Sequence, residues 1–300
     1  MKRAVATARA GPGRPARGVA LIVVLWVVAL LSSVALTLAA AARMETLLAG
    51  QRLEELRSRQ AAEGALELTV LDLLFPLGSG ARPTDGTPFV LEVGDSQVRV
   101  RVFDEAGKVD LNMAGPDLLS GLFRAAGATP ELAAALADAV MDWRDADRLR
   151  RLNGAEDADY AAAGLDHGAK DARFENVGEL RMVLGMTPEI FASVREAVTV
   201  YHRHAWVNPA VASRPVLLAM PGMDPDRVDA YLEARAQAPA QASALLGVER
   251  TGVQVRGTTY TIQASPLRGG QPLNGLEVTL RLNRGNADRP YQLLQWDRFS

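Results

Sequence analysis

Apolar residues run from Val19 to Ala42 without a single charge, a stretch of 24 residues. That is long enough for a helix crossing a hydrocarbon core of about 30 Å and exceeds the roughly 7 to 15 apolar residues of a secretory signal. The pattern then changes period. Met44, Leu47, Leu48, Leu53, Leu56, Ala62, Leu66, Val70 and Leu73 recur at three- and four-residue steps among charged residues. The helix is thus predicted to continue to Phe75, on the order of 85 Å from Val19 at 1.5 Å per residue. Gly50 and Gly64 are its expected weak points. The face formed by residues 61 to 75 is expected to pack on a sheet.

Pro76 to Pro88, rich in Gly, Pro and Ser, should end that helix. Phe89 to Val93 and Gln97 to Val102 alternate apolar and polar residues around Gly94-Asp95, as a hairpin with one buried face does. From Ala114 to about Gly247 the texture is of short Ala- and Leu-rich helices broken by Gly, Pro and Asp. Strand patterns return at Tyr260 to Ala264, Leu276 to Leu282 and Tyr291 to Trp296. Separated strands must still pair, so the expected class is α+β, a small antiparallel sheet interrupted by a helical domain.

Charge and composition sharpen the picture at two places. Residues 1 to 18 hold Lys2, Arg3, Arg9, Arg14 and Arg17 and no acid, which keeps that end in the cytoplasm and sends the rest across the membrane. There is no cysteine, which excludes disulfides, thiolate zinc sites and thiol catalysis. Net charge, −2, is uninformative.

With its motifs, this arrangement resembles the minor pseudopilin K of bacterial type II secretion, the general secretion pathway protein K family. Arg17-Gly18-Val19-Ala20-Leu21-Ile22-Val23-Val24-Leu25-Trp26 is similar to the family's leader junction. Gly107-Lys108-Val109-Asp110-Leu111-Asn112 resembles its entry to a helical insert. Asp142 to Asp147, Gly154 to Tyr160 and Phe174 to Leu180 resemble its acidic and helical signatures. The resemblance implies a pilin-like fold: leader 1–18, transmembrane helix 19–42, periplasmic stalk helix 43–75, first α/β part 76–112, an inserted all-α domain of SAM-like helical hairpins 113–250, and C-terminal strands 251–300. It also implies cleavage by a prepilin peptidase after Gly18 and methylation of the new amino group on Val19, where the family often has methionine.

Most pilin-like subunits carry glutamate at the fifth mature position, to pair with a neighbour's terminal ammonium within the membrane; here that position is Val23. An unpaired charge there costs about 2.5 to 3.5 kcal/mol on insertion scales, so a subunit joining beneath another needs the acid and one with nothing above it does not. Val23 therefore points to the tip, where the resemblance also places the protein, with minor pseudopilins I and J as partners and a role in starting a pseudopilus on an inner-membrane secretion platform. The implied location is the bacterial inner membrane, single-pass, N-terminus cytoplasmic and C-terminal domain periplasmic.

The strongest chemical constellation is acidic: Asp142, Asp145, Asp147, Glu156, Asp157, Asp159 and Asp171, with Asn176 beyond. Hard cations such as calcium take six to eight oxygen ligands from such loops, although the EF-hand order is absent. The plain alternative is a solvated loop neutralised by Arg148, Arg150 and Arg151. The family's binding of calcium in this insert favours one or two calcium ions, with Asp171 standing where the family tends to have asparagine. No Gly-x-Ser-x-Gly, His-Glu-x-x-His or Walker loop occurs, and His202 and His204 read as a surface or helix-end pair, so an enzyme is not expected.

Two rivals remain: a generic anchored periplasmic adaptor, and a membrane-anchored helix-hairpin-helix DNA receptor of the competence type. Val109 to Ala114 and Val207-Asn208-Pro209 followed by Leu218 to Met223 resemble helix-hairpin-helix modules. Yet Asp224 replaces a hairpin glycine, and Asp104 to Arg203 holds 18 acids against 11 bases, a net of −7. Nucleic acid calls for a basic face, and no nucleic-acid partner is expected.

Overall fold

A computed structural model describes residues 17–75, 82–237, 242 and 257–299. Residues 1–16 of the expected leader, residues 76–81 and the expected 250/251 domain boundary lie outside the described residues. The chain divides into two units, Met1–Arg57 and Ser58–Ser300.

The first unit is helical from Arg17 onward and belongs to α1 (Arg17–Leu74). Every side chain described there, from Ala20 to Arg57, is exposed. Among the described residues this is the one helix long and apolar enough to cross a membrane, with a mean hydropathy of 2.7 in its most apolar window. Gly50 and Gly64 do not interrupt it.

In the second unit, α1 buries Ala61, Ala62, Ala65, Leu66, Val70 and Leu73, the face whose period is readable in the sequence. It meets the inward residues of a sheet ordered β1 (Phe89–Val93), β2 (Ser96–Asp104), β5 (Thr259–Arg268), β7 (Gly275–Leu282) and β8 (Tyr291–Phe299). All four neighbouring pairs are antiparallel. Val98, Val100 and Val102 on β2, Ile262 and Ala264 on β5 and Val278 and Leu280 on β7 fill this core. A short β6 (Gln271–Pro272) pairs with the end of β5.

Between β2 and β5 a second core forms around helices. Two-residue strands β3 (Val109–Asp110) and β4 (Val198–Thr199) lie parallel, Val109 opposite Val198. Between them come α2 (Pro116–Ala125), α3 (Pro130–Arg144), α4 (Asp157–Ala162) and α5 (Pro188–Val194); α6 (Arg214–Ala219) and α7 (Pro225–Gln237) follow β4. Local chemistry sets the starts. Thr129 and Thr187 accept from the backbone N–H of Leu132 and Ile190, and each is followed by proline at the first helical position. Gly121 permits a close crossing, since a Cβ there would lie 2.3 Å from the Ala219 carbonyl oxygen of α6. Leu119, Leu122, Phe123, Leu136, Val140 and Leu217 are fully buried.

A buried polar joint links the two cores. Asp104 accepts from the N–H of Ala106 and of Gly257 at 3.0 and 2.8 Å, so it holds the exit from the sheet beside the return to it. Burial, with the adjacent Glu105 and against the two donated bonds, pushes its carboxyl up to about 6. Glu105 pairs with Lys108 at 2.6 Å and accepts from Thr261 at 2.8 Å.

Candidate metal centre

The C-terminal end of α3 carries Asp142, fully buried, and Asp145, the residue that ends the helix. An aromatic wall supports this end. The Trp143 ring stacks on Phe174 at 6.0 Å between centroids and leans on Tyr160 at the same distance. Tyr160, on α4, accepts from the Leu184 N–H. Arg144 turns away to donate to the carbonyls of Leu111 and Ala114, which leaves Asp142 without its sequence neighbour as a counter-charge.

Glu156 precedes α4 and is 7% exposed. Burial first, then the charges of Asp142, Asp171, Asp145 and Asp157, push its carboxyl up to about 7. Asp142 is raised for the same leading reason, against a bond from the Arg151 N–H. Asp171 adopts a left-handed backbone, φ +52°, which Asp and Asn tolerate better than most residues.

The unpaired atoms decide what gathers here. Among the described residues, the buried side-chain atoms without a hydrogen-bond partner are Asp142 Oδ1, Asp145 Oδ1, both oxygens of Glu156, Asp171 Oδ1 and Trp143 Nε1. Five of these six belong to four carboxylates that repel one another. Buried polar groups are rarely left so, and buried carboxylate oxygens without partners are the donor type a hard cation prefers. As the side chains stand, no three among the described residues converge tightly enough to hold an ion, so binding requires them to rotate inward.

The other acids anticipated from sequence are otherwise engaged. Asp147 is exposed and accepts from the Leu149 N–H. Asp159 accepts from the Glu156 N–H and pairs with Arg150 at 3.1 Å. Asp157 is exposed at the start of α4, and Asn176 accepts from the Glu179 N–H. Two features were not anticipated. Gly154 is buried so close to Asp142 that a Cβ would lie 1.9 Å from Oδ2, and the Asp104 joint brings together residues 153 positions apart. The first belongs to the Gly154-Ala155-Glu156 motif; the second leaves no local signal.

His202 and His204 lie in the loop after β4, rings 4.9 Å apart, with His202 against Trp206. Burial and His204 lower the His202 pKa. Asp224 accepts from the Arg227 N–H at the start of α7, so a carboxylate stands where a DNA-binding hairpin would offer backbone donors to phosphate.

Residues 103–203, the stretch containing this centre, match the family model for type II secretion system protein K. Over these residues the chain is similar to type II secretion system protein K. The family's protein K from Pseudomonas aeruginosa is 32% identical over 165 residues, covering 52% of this chain and 48% of that protein. Protein K from Pectobacterium carotovorum subsp. carotovorum is 34% identical over 70 residues, 23% of this chain and 21% of its own length. The matched region thus spans about half of the first relative and a fifth of the second. A solved chain from the crystal structure of the GspK-GspI-GspJ complex of the enterotoxigenic Escherichia coli type 2 secretion system shares the fold, with a TM-score of 0.57 at 14% identity, covering 83% of this chain and 98% of that one.

Proposed function

We propose that this protein is the minor pseudopilin at the tip of a type II secretion pseudopilus, where it starts assembly and takes no further subunit above itself. The observation that carries the reading is the acid-free run from Val19 to Ala42, with Val23 at the fifth position after Gly18. A subunit added below an existing one must neutralise that neighbour's terminal ammonium, and this one has no group in the membrane with which to do so. Cleavage after Gly18 by a prepilin peptidase, methylation of Val19 and a periplasmic head follow from the same reading.

Likeness to a chain of the GspK-GspI-GspJ complex supports partners equivalent to I and J. Exposed Leu47, Leu48, Leu53 and Leu56 on α1 offer partner helices apolar contacts. Asp142, Asp145, Glu156 and Asp171 are the proposed calcium ligands, for one or two ions. Bound there, calcium supplies the positive charge that four crowded carboxylates lack. The Asp224 contact and the acidic balance argue against a DNA receptor.

The test is co-purification of the detergent-extracted full chain with the system's other pilin-like subunits, alongside gold labelling of assembled pseudopili. Two minor subunits should accompany the chain, be lost on Leu48→Asp with Leu53→Asp, and label should sit at one filament end. Label along the shaft would overturn the tip assignment.

A further inference from the structure

The acidic centre is faced by cations from a single loop. Arg151 Nε lies 3.2 Å from Asp142 Oδ1 and its Nη2 lies 3.4 Å from Asp145 Oδ2, while its backbone N–H donates to Asp142 Oδ2 at 3.2 Å. Arg148 Nε stands 3.7 Å from Asp171 Oδ2. Three of the four carboxylates thus meet an arginine from the segment Arg148 to Arg151. The fourth, Glu156, is more than nine-tenths buried and neither oxygen has a partner. The arginines only partly satisfy the centre: Asp142 Oδ1 and Asp145 Oδ1 remain without hydrogen bonds.

The two arginine side chains are placed to leave. The Arg151 side chain is 40% exposed and that of Arg148 79%, so both can swing into water. Leu149 and Leu152 are 78% and 90% exposed and give the loop no apolar anchor. Independently of the four carboxylates, Arg150 holds the loop to Asp159 at 3.1 Å and Asn153 holds its far end to Asp138. A divalent ion bound by Asp142 and Asp145 would take Asp142 Oδ1, the oxygen that Arg151 Nε now faces, and would repel a guanidinium at that distance.

We propose that Arg151, assisted by Arg148, is a tethered counter-ion that occupies the carboxylate cluster in the ion-free protein and is displaced when a divalent cation binds, freeing both guanidiniums from the centre. The inference rests on the calcium reading of the centre. Arginine and ion compete for the same carboxylates, so Arg151 sets the affinity for the ion. It also keeps the ion-free head folded until loading. Once freed, the two guanidiniums join the already exposed Leu149 and Leu152 on the surface.

Calorimetric titration of calcium into the detergent-solubilised full chain tests this with charge-matched variants. Arg151→Gln should tighten calcium at least fivefold relative to Arg150→Gln, which removes the same charge from the neighbouring position but breaks only a contact with Asp159, and should lower the ion-free melting midpoint. Arg151→Lys, which keeps the charge, should stay within about twofold of the unaltered chain. Equal or weaker affinity in Arg151→Gln than in Arg150→Gln would overturn the proposal. Should Arg151→Gln fail to fold without calcium, recovery on adding calcium supports the proposal and absence of recovery counts against it. Calcium binding by neither the unaltered chain nor Arg151→Gln would remove the calcium reading itself, and the inference with it.

Discussion

Replacing Glu156 by glutamine should change stability in opposite directions with and without calcium. The folded state raises this carboxyl from 4.5 to about 7. For a raised acid the contribution to stability is complete below the unfolded pKa and is lost as pH rises through the folded one. At pH 8, without the ion, ionised Glu156 therefore costs up to about 3 kcal/mol at 1.36 kcal/mol per pH unit. Glutamine removes the charge but leaves a buried amide to satisfy, which takes back about 1 to 2 kcal/mol. The variant should then gain roughly 1 kcal/mol in excess chelator. With calcium at about 100 times its dissociation constant, binding contributes about 2.7 kcal/mol, and losing one charged ligand should remove most of it. Urea unfolding at pH 8, followed by tryptophan fluorescence, reads both effects, because Trp143 is buried beside Asp142. The reasoning fails if Glu156→Gln moves the midpoint in the same direction and by the same amount in chelator and in calcium.

Gly154→Ala should displace the Asp142 carboxylate, destabilise the head by about 1 to 3 kcal/mol as overpacking does, and weaken calcium binding at least tenfold by calorimetry. Asp104 is raised from 3.8 to about 6 by burial, so its contribution to stability, present below pH 4, falls by up to about 3 kcal/mol as pH rises through 6; Asp104→Asn should flatten that part of a pH series of urea midpoints. Leu66→Ala, at a residue 2% exposed against the sheet, should cost about 2 to 5 kcal/mol without changing calcium affinity. Gly18→Ala should leave the chain unshortened and unmethylated by mass spectrometry of the membrane fraction, and a processed variant would count against the proposed junction.

The helix and sheet were legible because their signals are local and periodic. Leu66, Val70 and Leu73 repeat at helical steps, and Val98, Val100 and Val102 alternate, so burying one face fixes both elements without distant information. The helical core was legible as texture, and Thr129-Pro130 and Thr187-Pro188 mark helix starts that the sequence reading passed over. The carboxylate centre was half legible. Proximity in sequence suggested seven acids, but Asp147 and Asp159 are spent on nearby backbone N–H groups, and Asp-x-Asp-x-Leu and Glu-x-x-Asp spacings are what such local bonds need. What remains is set by burial and by the absence of a competing donor, neither of which spacing reveals.

Asp171 illustrates the difference. It lies 12 residues beyond Asp159 and reaches the cluster through a left-handed backbone after α4, so only the fold brings it near Glu156. Gly154 argues the same point from the other side. Its value is negative, since any side chain would occupy the volume of the Asp142 carboxylate, and a sequence shows a glycine without showing what it makes room for. A centre of four like charges, with the arginines of one exposed loop as partial counter-ions and Glu156 left unpaired, costs stability. The fold tolerates that cost if an ion repays it, which is why stability in chelator and in calcium, measured on the same variants, discriminates a cation site from a merely acidic surface.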